Sequence, residues 1–456
     1  MDPSNPGLAD GTVYAIDRFL DDWFVDDDVP GASVAIVDRD DLLYATGLGA
    51  RDTDAHDAAT AETVYGVGSI AKPVTALTVL QFVDRGDLAL DDPVSEYLPV
   101  LVDAPGDPVT VGQLLAHSSG LPRDFVTSRD NVVDRETLFR HVDGVAEQRR
   151  TDRDRYMYYN SGYLLLGELA ATVADRPFHA VADETTLDPL GMDRSTFDTA
   201  ALADLDDVAT GYRDGDGDRP SADLSTIEGA GASGGLLASA TDLSRLVQHV
   251  LRDGELDGER LVSSELFDTG TTRQSSPLPT ADGTDRGYGY GWELGEFMGE
   301  RLVGHRGSIH FAGGYVGALP ERGLGVALAF NANGAGRSVV STGRGVLALA
   351  AGEEPIEQVR MLAVERKIDA VVGEYETAHA ERTVTVERAP VGRISVTIEG
   401  MGLSFDAVPE TADPDDLAFV ATMGDGSRWP VAFRETDDDT ELLLSTGKWT
   451  SWLAET

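Results

Sequence analysis

Ser69 and Lys72 stand three residues apart at the start of GVGSIAKPVTALTVLQFVDRG, residues 66–86. Beyond Lys72, the residues Val74, Leu77, Val79, Leu80, Phe82 and Val83 cover most of a helical circumference, the pattern of a buried helix. Pro73 fits such a helix only within its first turn, where the N–H groups have no intrahelical partner to lose. The spacing therefore predicts a helix beginning at about Ser69, with a hydroxyl and an amine on one face at its positive end. An amine desolvated there can be neutral and take the hydroxyl proton, which is how a serine becomes a nucleophile. Ser445 and Lys448 repeat the spacing, but in ELLLSTGKWTSW, a strand-and-turn pattern with no helix to align the pair.

Two further segments carry chemical possibilities that fail on context. Gly231-Ala232-Ser233-Gly234-Gly235 has the G-x-S-x-G form of a nucleophile elbow, the basis of an alternative esterase of the α/β-hydrolase type using Ser233. That elbow needs a buried strand immediately before it, and RPSADLSTIEGA is polar and turn-like. Asp214, Asp216 and Asp218 alternate as in a calcium loop, but the sixth position is Arg219 and the twelfth Ser225, so a solvated loop is expected.

The remaining composition narrows the class. The 456 residues include 80 acidic and 36 basic ones, for a net charge of −44. Lysine occurs only at 72, 367 and 448, so 33 of the 36 basic residues are arginine. The acid recurs in short clusters along the whole chain (DDWFVDDD, DPDD, TDDDTE). Dispersed carboxylate with almost no lysine is the surface expected of a halophile's protein, where salt screens self-repulsion. Such a field repels phosphate and argues against nucleic acid as a partner. With no cysteine, disulfides and thiolate chemistry are excluded. No apolar run reaches membrane-spanning length, and MDPSNPGLADGTVYAIDRF lacks the basic and apolar regions of a secretion signal, so a cytoplasmic location is expected.

The elements that would position Ser69 follow from periodicity. Residues 10–26 read as an amphipathic helix, and ASVAIVDRDDLLYATGLGARD as a hairpin. Residues 87–200 are mostly helical, and 231–254 run from a glycine turn into an amphipathic helix. Residues 287–295, 301–320 and 324–333 read as three antiparallel strands, and 336–352 as a closing helix. This order implies one antiparallel sheet built from both ends of a domain, with helices inserted between. From about 365 up to eight short strands follow in some 90 residues, a small β-barrel or sandwich. The expected divisions are 1–352, a linker over 353–366, and 367–456.

Three motifs in this order carry a family resemblance. Ser69-Ile70-Ala71-Lys72 resembles the S-x-x-K element of the serine β-lactamase-related hydrolases, Tyr158-Tyr159-Asn160 their Y-x-N element, and His305-Arg306-Gly307 the H-x-G form of their K-T-G element. LLAHSSGLP and YGYGW resemble the family's flanking segments. The group includes class C β-lactamases, penicillin-binding proteins, D-aminopeptidases and esterases. The resemblance implies an α/β (α+β) fold, with an antiparallel sheet, flanking helices and an all-helical lobe, and a C-terminal barrel similar to the lipocalin-like tail of some members. It implies Ser69 as nucleophile, Lys72 as general base and Tyr158 as a second proton carrier. Asn160 would bind the substrate amide, His305 would assist binding or proton transfer, and the main-chain N–H groups of Ser69 and Ser308 beside Gly307 would form the oxyanion hole. His117 is expected to hold a turn, and His310 has no assigned role. The expected activity is hydrolysis of small amides, peptides or esters through an acyl-enzyme, without metal or organic cofactor. The partner is a small molecule or short peptide, and homo-oligomer formation is compatible. The alternative of another class is an acylatable binding or sensor protein without steady turnover. A first prediction follows from charge alone: dilution from molar KCl to low salt should lower the melting temperature, and identical melts in both would remove the halophilic reading.

Overall fold

The computed structural model describes residues 7–26, 29–122, 134–151, 156–213, 220–278, 285–309, 311–332, 339–377, 381–390, 392–436, 440–446 and 449–456. His310, Lys448 and the acidic loop 214–219 lie outside the described residues. Two compact units divide the chain, Met1–Gly352 and Glu353–Thr456.

The first unit is organised by one antiparallel sheet drawing strands from both of its ends. Helix α1 (Asp10–Asp26) leads into the hairpin β1 (Gly31–Asp38) and β2 (Leu42–Asp52), with the short β3 (Asp57–Ala58) beyond it. Helix α2 (Ala71–Asp84) follows, then α3 (Asn160–Ala174) and α4 (Ala240–Leu251). The strands β4 (Gly287–Tyr288), β5 (Glu293–Phe297), β6 (Glu300–Ile309), β7 (Ala312–Leu319) and β8 (Leu324–Phe330) precede α5 (Val339–Ala350). The sheet order is β4-β5-β6-β7-β8-β1-β2-β3, so β8 and β1, almost three hundred residues apart, are central neighbours in register Ala32 to Phe330 through Asp38 to Leu324.

The three strands expected over 287–333 are five, since 287–295 spans β4 and the start of β5. Residues 301–320 are expected as a single strand, yet they form two strands, β6 and β7, paired from Val303–Ala318 to Ile309–Ala312, with no Asn-Gly or Asp-Gly pair marking the reversal between them. Gly313 and Gly314 let the returning chain pass under Phe330 and Leu328, where a Cβ would come within 2.8 and 2.5 Å of those residues.

The two sheet faces are covered differently. A Cβ at Gly325 of β8 would meet Val247 and Leu251 of α4, whereas Tyr315, on the opposite face by strand alternation, lies against Gly343 of α5. Helix α4 starts at a capped end, with Ser239 Oγ accepting the N–H of Asp242 at 3.1 Å. Helix α2 is buried from Ala71 to Phe82, which explains a composition apolar on every side. It contacts α3 and the helical segments around Thr186, whose hydroxyl meets Thr78 at 2.8 Å and Gln81 at 2.9 Å.

The second unit opens with the helices Pro355–Gln358 and Arg360–Asp369 and continues into eight antiparallel strands, from Gly373–Glu376 to Trp449–Glu455, closed into a barrel by pairing of the first with the last. Closure removes exposed sheet edges. Val384, Val386, Ile394, Val396, Phe419 and Leu442 are among the side chains filling its core.

Candidate active site

Ser69 sits in a single 3-10 turn, Gly68–Ile70, and α2 proper begins at Ala71. Pro73 is therefore the third residue of α2, where its missing N–H costs no helical hydrogen bond. Lys72 is completely buried. Its Nζ lies 3.0 Å from Ser69 Oγ and donates to the Ser233 carbonyl at 2.6 Å. The rings of Tyr158 and Tyr163 stand 4.8 and 5.5 Å from it. Burial pushes the amine down to about 7, against the opposing pull of the Glu293 carboxylate.

Tyr158 lies in the segment just before α3, with the Ser69 hydroxyl among the groups acting on its phenol. Burial raises its pKa, with Ser69 opposing, so the phenol keeps its proton at neutral pH. Asn160 opens α3, and its Oδ1 is buried without a hydrogen-bond partner among the described residues. A buried amide oxygen left in that state suits a group that arrives with a ligand.

The turn carrying Ser69 meets β6 main chain to main chain. Gly68 is left-handed at φ 56°, and a Cβ on it would lie 2.7 Å from the Ser308 nitrogen. A Cβ on Gly307 would lie 1.8 Å from the Val67 carbonyl oxygen and 2.9 Å from the Ser69 nitrogen. Only glycine at both positions allows this approach, which sets the backbones of Ser69 and Ser308 side by side.

His305 is buried beside this junction, and both ring nitrogens are engaged. Nδ1 is 2.7 Å from the Arg306 carbonyl, so it carries the proton, and Nε2 accepts from the Tyr288 hydroxyl at 3.1 Å. Burial, and then the nearby Lys72 amine, push its pKa down to about 3. The structure thus brings Ser69, Lys72 and Tyr158 into mutual contact, while His305 is a neutral ring bonded to Tyr288 and to its own strand.

Ser233 enters the site through its carbonyl. Its hydroxyl donates to the Ala230 carbonyl at 2.7 Å, and Gly231–Gly234 is one helical turn preceded by the 3-10 segment Leu224–Ala230. No strand-to-helix elbow exists there. Three contributors escape a reading of side-chain motifs. The Ser233 carbonyl has no side-chain signature. Tyr288 and Glu293 belong to the YGYGWE segment, whose aromatic and glycine spacing is the only available signal. Glu293, the first residue of β5, pairs with Arg306 Nε at 3.6 Å. Burial raises its pKa, with Arg306 the first of the cations opposing that shift.

Comparison with known proteins places the first unit in a family. The Beta-lactamase family profile covers residues 15–351, and the chain belongs to that family. At this coarse level it is a serine hydrolase. Penicillin-binding protein 4 of Amycolatopsis lactamdurans is 30% identical over 361 residues, 76% of this chain and 93% of that protein. The octameric penicillin-binding protein homologue from Pyrococcus abyssi superposes with a TM-score of 0.86 at 29% identity, covering 97% of this chain and 100% of that one. EstCE1, a hydrolase with promiscuous acyltransferase activity, shares the fold at TM-score 0.61 and 18% identity, over 75% of this chain and 97% of its own. The Pab87 octamerisation domain profile covers residues 355–448, and this, instead of the expected lipocalin-like kinship, is the relationship found for the barrel.

The glycine contact generates a test. Gly307→Ala should force the Ser69 turn and β6 apart, costing about 1–3 kcal/mol. A lower melting temperature together with slowed labelling of Ser69 by a fluorophosphonate is the expected result. Wild-type values for both would show that the strands have room to spare.

Proposed function

We propose that this protein hydrolyses small amides, short peptides or esters through an acyl-enzyme on Ser69. The observation that carries this reading is a fully buried lysine amine within 3.0 Å of the Ser69 hydroxyl, where burial lowers its pKa to about 7. Neutral Lys72 takes the Ser69 proton as Oγ attacks the substrate carbonyl, while one of its N–H groups remains on the Ser233 carbonyl. The N–H groups of Ser69 and Ser308 receive the developing oxyanion. Collapse breaks the bond to the leaving amine or alcohol, which gains the proton by way of Tyr158. Water then attacks the ester, and Ser69 recovers its proton. Tyr158 begins the cycle as a phenol, so it relays the proton and Lys72 serves as the resident base. Asn160 is assigned to the substrate amide.

His305 bears on substrate class. A lysine on this strand would present a permanent charge to a substrate carboxylate, whereas His305 is buried and neutral. Arg306 does not replace it, because adjacent strand residues face opposite sides and its guanidinium pairs with Glu293. Short acyl esters and D-aminoacyl amides are therefore the better substrates, and β-lactams slow substrates or acylating inhibitors.

The barrel's likeness to an octamerisation domain supports a homo-oligomer. Light scattering on the full chain in molar KCl should give a mass several times the 48.5 kDa of one chain, and a monomer would overturn this part of the reading.

The chemistry is tested by labelling and kinetics together. A fluorophosphonate should mark Ser69, Ser69→Ala should lower kcat by roughly 10⁴-fold or more, and Ser233→Ala should leave the label in place. Because the neutral amine is the active form, kcat/KM on a p-nitrophenyl ester should rise with pH through about 7. Label on the Ser233 peptide would end the mechanism, and a profile flat from acid to alkaline pH would remove Lys72 as its base. A chromogenic cephalosporin outperforming both the ester and a D-aminoacyl anilide would refute the histidine argument.

A further inference from the structure

His117 lies in LLAHSSGLP, and its geometry reaches well beyond a turn. It follows the short helix Val111–Leu115, whose start is fixed by a capping box between Thr110 and Gln113. The next carbonyls are clamped: Leu115 accepts from the Tyr163 hydroxyl at 2.7 Å, and Ala116 from Ser275 Oγ at 2.5 Å. On this anchored platform His117 adopts the left-handed conformation, φ 53°, uncommon for a residue with a Cβ.

That conformation sends two acceptors of one residue to a single neighbouring segment. The His117 carbonyl takes the Met157 N–H at 2.7 Å, and its ring Nδ1 takes the Tyr159 N–H at 3.1 Å. The two bonds bracket Tyr158. The imidazole also lies against the Tyr158 ring, centroids 4.3 Å apart, with Tyr288 at 4.7 Å and Tyr163 at 5.0 Å on its other contacts. A main-chain N–H can only donate, so Nδ1 is unprotonated and the hydrogen of the neutral ring is on Nε2. Nε2 is buried without a hydrogen-bond partner among the described residues, so no competing bond turns the ring away.

We propose that His117 is the positioning residue for Tyr158, holding the main chain on both sides of it through one carbonyl and one ring nitrogen and fixing the phenol against its imidazole face. The proposal rests on the role given to Tyr158 above, and it does not require His117 to touch substrate. A phenol free to leave the Ser69 hydroxyl would no longer relay the proton, so the loss should fall on kcat.

The test uses the full chain and four variants: His117→Asn, His117→Ala, Tyr158→Phe and the double variant of the last two. Asn tolerates the left-handed conformation and carries an acceptor where Nδ1 stands. Kinetics on a p-nitrophenyl ester are normalised to the Ser69 sites that a fluorophosphonate titrates. His117→Ala should lower kcat per titrated site roughly a hundredfold, with KM within about threefold. His117→Asn should stay within about threefold of the wild type. In the Tyr158→Phe background His117→Ala should add little, because both remove the same relay. If His117→Ala does not fold, His117→Gln, whose acceptor stands one bond too far out, replaces it. Unchanged kcat per site in a folded variant, or the same factor with and without the Tyr158 hydroxyl, overturns the proposal and leaves the Ser69 mechanism standing. A wild type that is never labelled at Ser69 overturns both.

Discussion

The hydrolase unit depends on one close approach, between the turn at Gly68 and the strand at Gly307. Two main chains meet there with no side chain between them, since a Cβ on either glycine would fall within 3 Å of the other's backbone. This contact sets where α2 enters the sheet, and so where Ser69 stands relative to β6. Everything else about the site is arranged around that placement. β5 pairs with β6 only up to Glu293–Gly304, so the stretch from His305 onward, which includes Ser308, is unpaired with β5. The strand edge facing the helix mouth is thereby open where the serine arrives.

Electrostatics inside this junction follow from exclusion of water. Among the described residues, an ammonium group at zero exposure finds the Ser233 carbonyl, the Ser69 hydroxyl and two aromatic faces as its near partners. Those partners do not replace a full hydration shell, so the neutral amine is favoured. The same dry environment keeps Tyr158 a phenol and His305 and His117 neutral imidazoles. Burial moves bases down and acids up, so these three side chains are uncharged at neutral pH, while Lys72, near 7, stands at the balance of its two forms. Glu293 and Arg306 pair with each other nearby, so their charges offset.

Much of this was legible from residue types and spacing. Helix α2 announces itself because it is apolar on every side, the β1–β2 hairpin because a polar turn separates two β-rich runs, and the eight barrel strands because each is a short run bounded by turn residues. The division of 301–320 into two strands was less legible, since the reversal falls in SIHFAGG, which lacks the Asn-Gly or Asp-Gly pair of a tight hairpin turn. Period two identifies which residues face inward but does not mark a change in chain direction. The start of α2 lies two residues beyond the expected one, because Gly68–Ile70 form a 3-10 turn of the kind frequent at helix N-termini.

Main-chain participants define the deeper boundary of what side chains reveal. The carbonyls of Ser233 and His117 and the nitrogens of Ser69 and Ser308 carry no residue-type signature, yet the first two hold the Lys72 amine and the segment bearing Tyr158, and the last two lie side by side at the helix mouth. What a sequence does reveal is the permission for such approaches: glycine at 68 and 307, and a polar residue able to adopt φ 53° at 117. His117 shows why residue type and conformation must be read together. With its chain extended, the same imidazole would direct Nδ1 and its carbonyl to different neighbours. In the left-handed region both reach the segment 157–159, and a histidine in a loop becomes the frame of the tyrosine beside the serine.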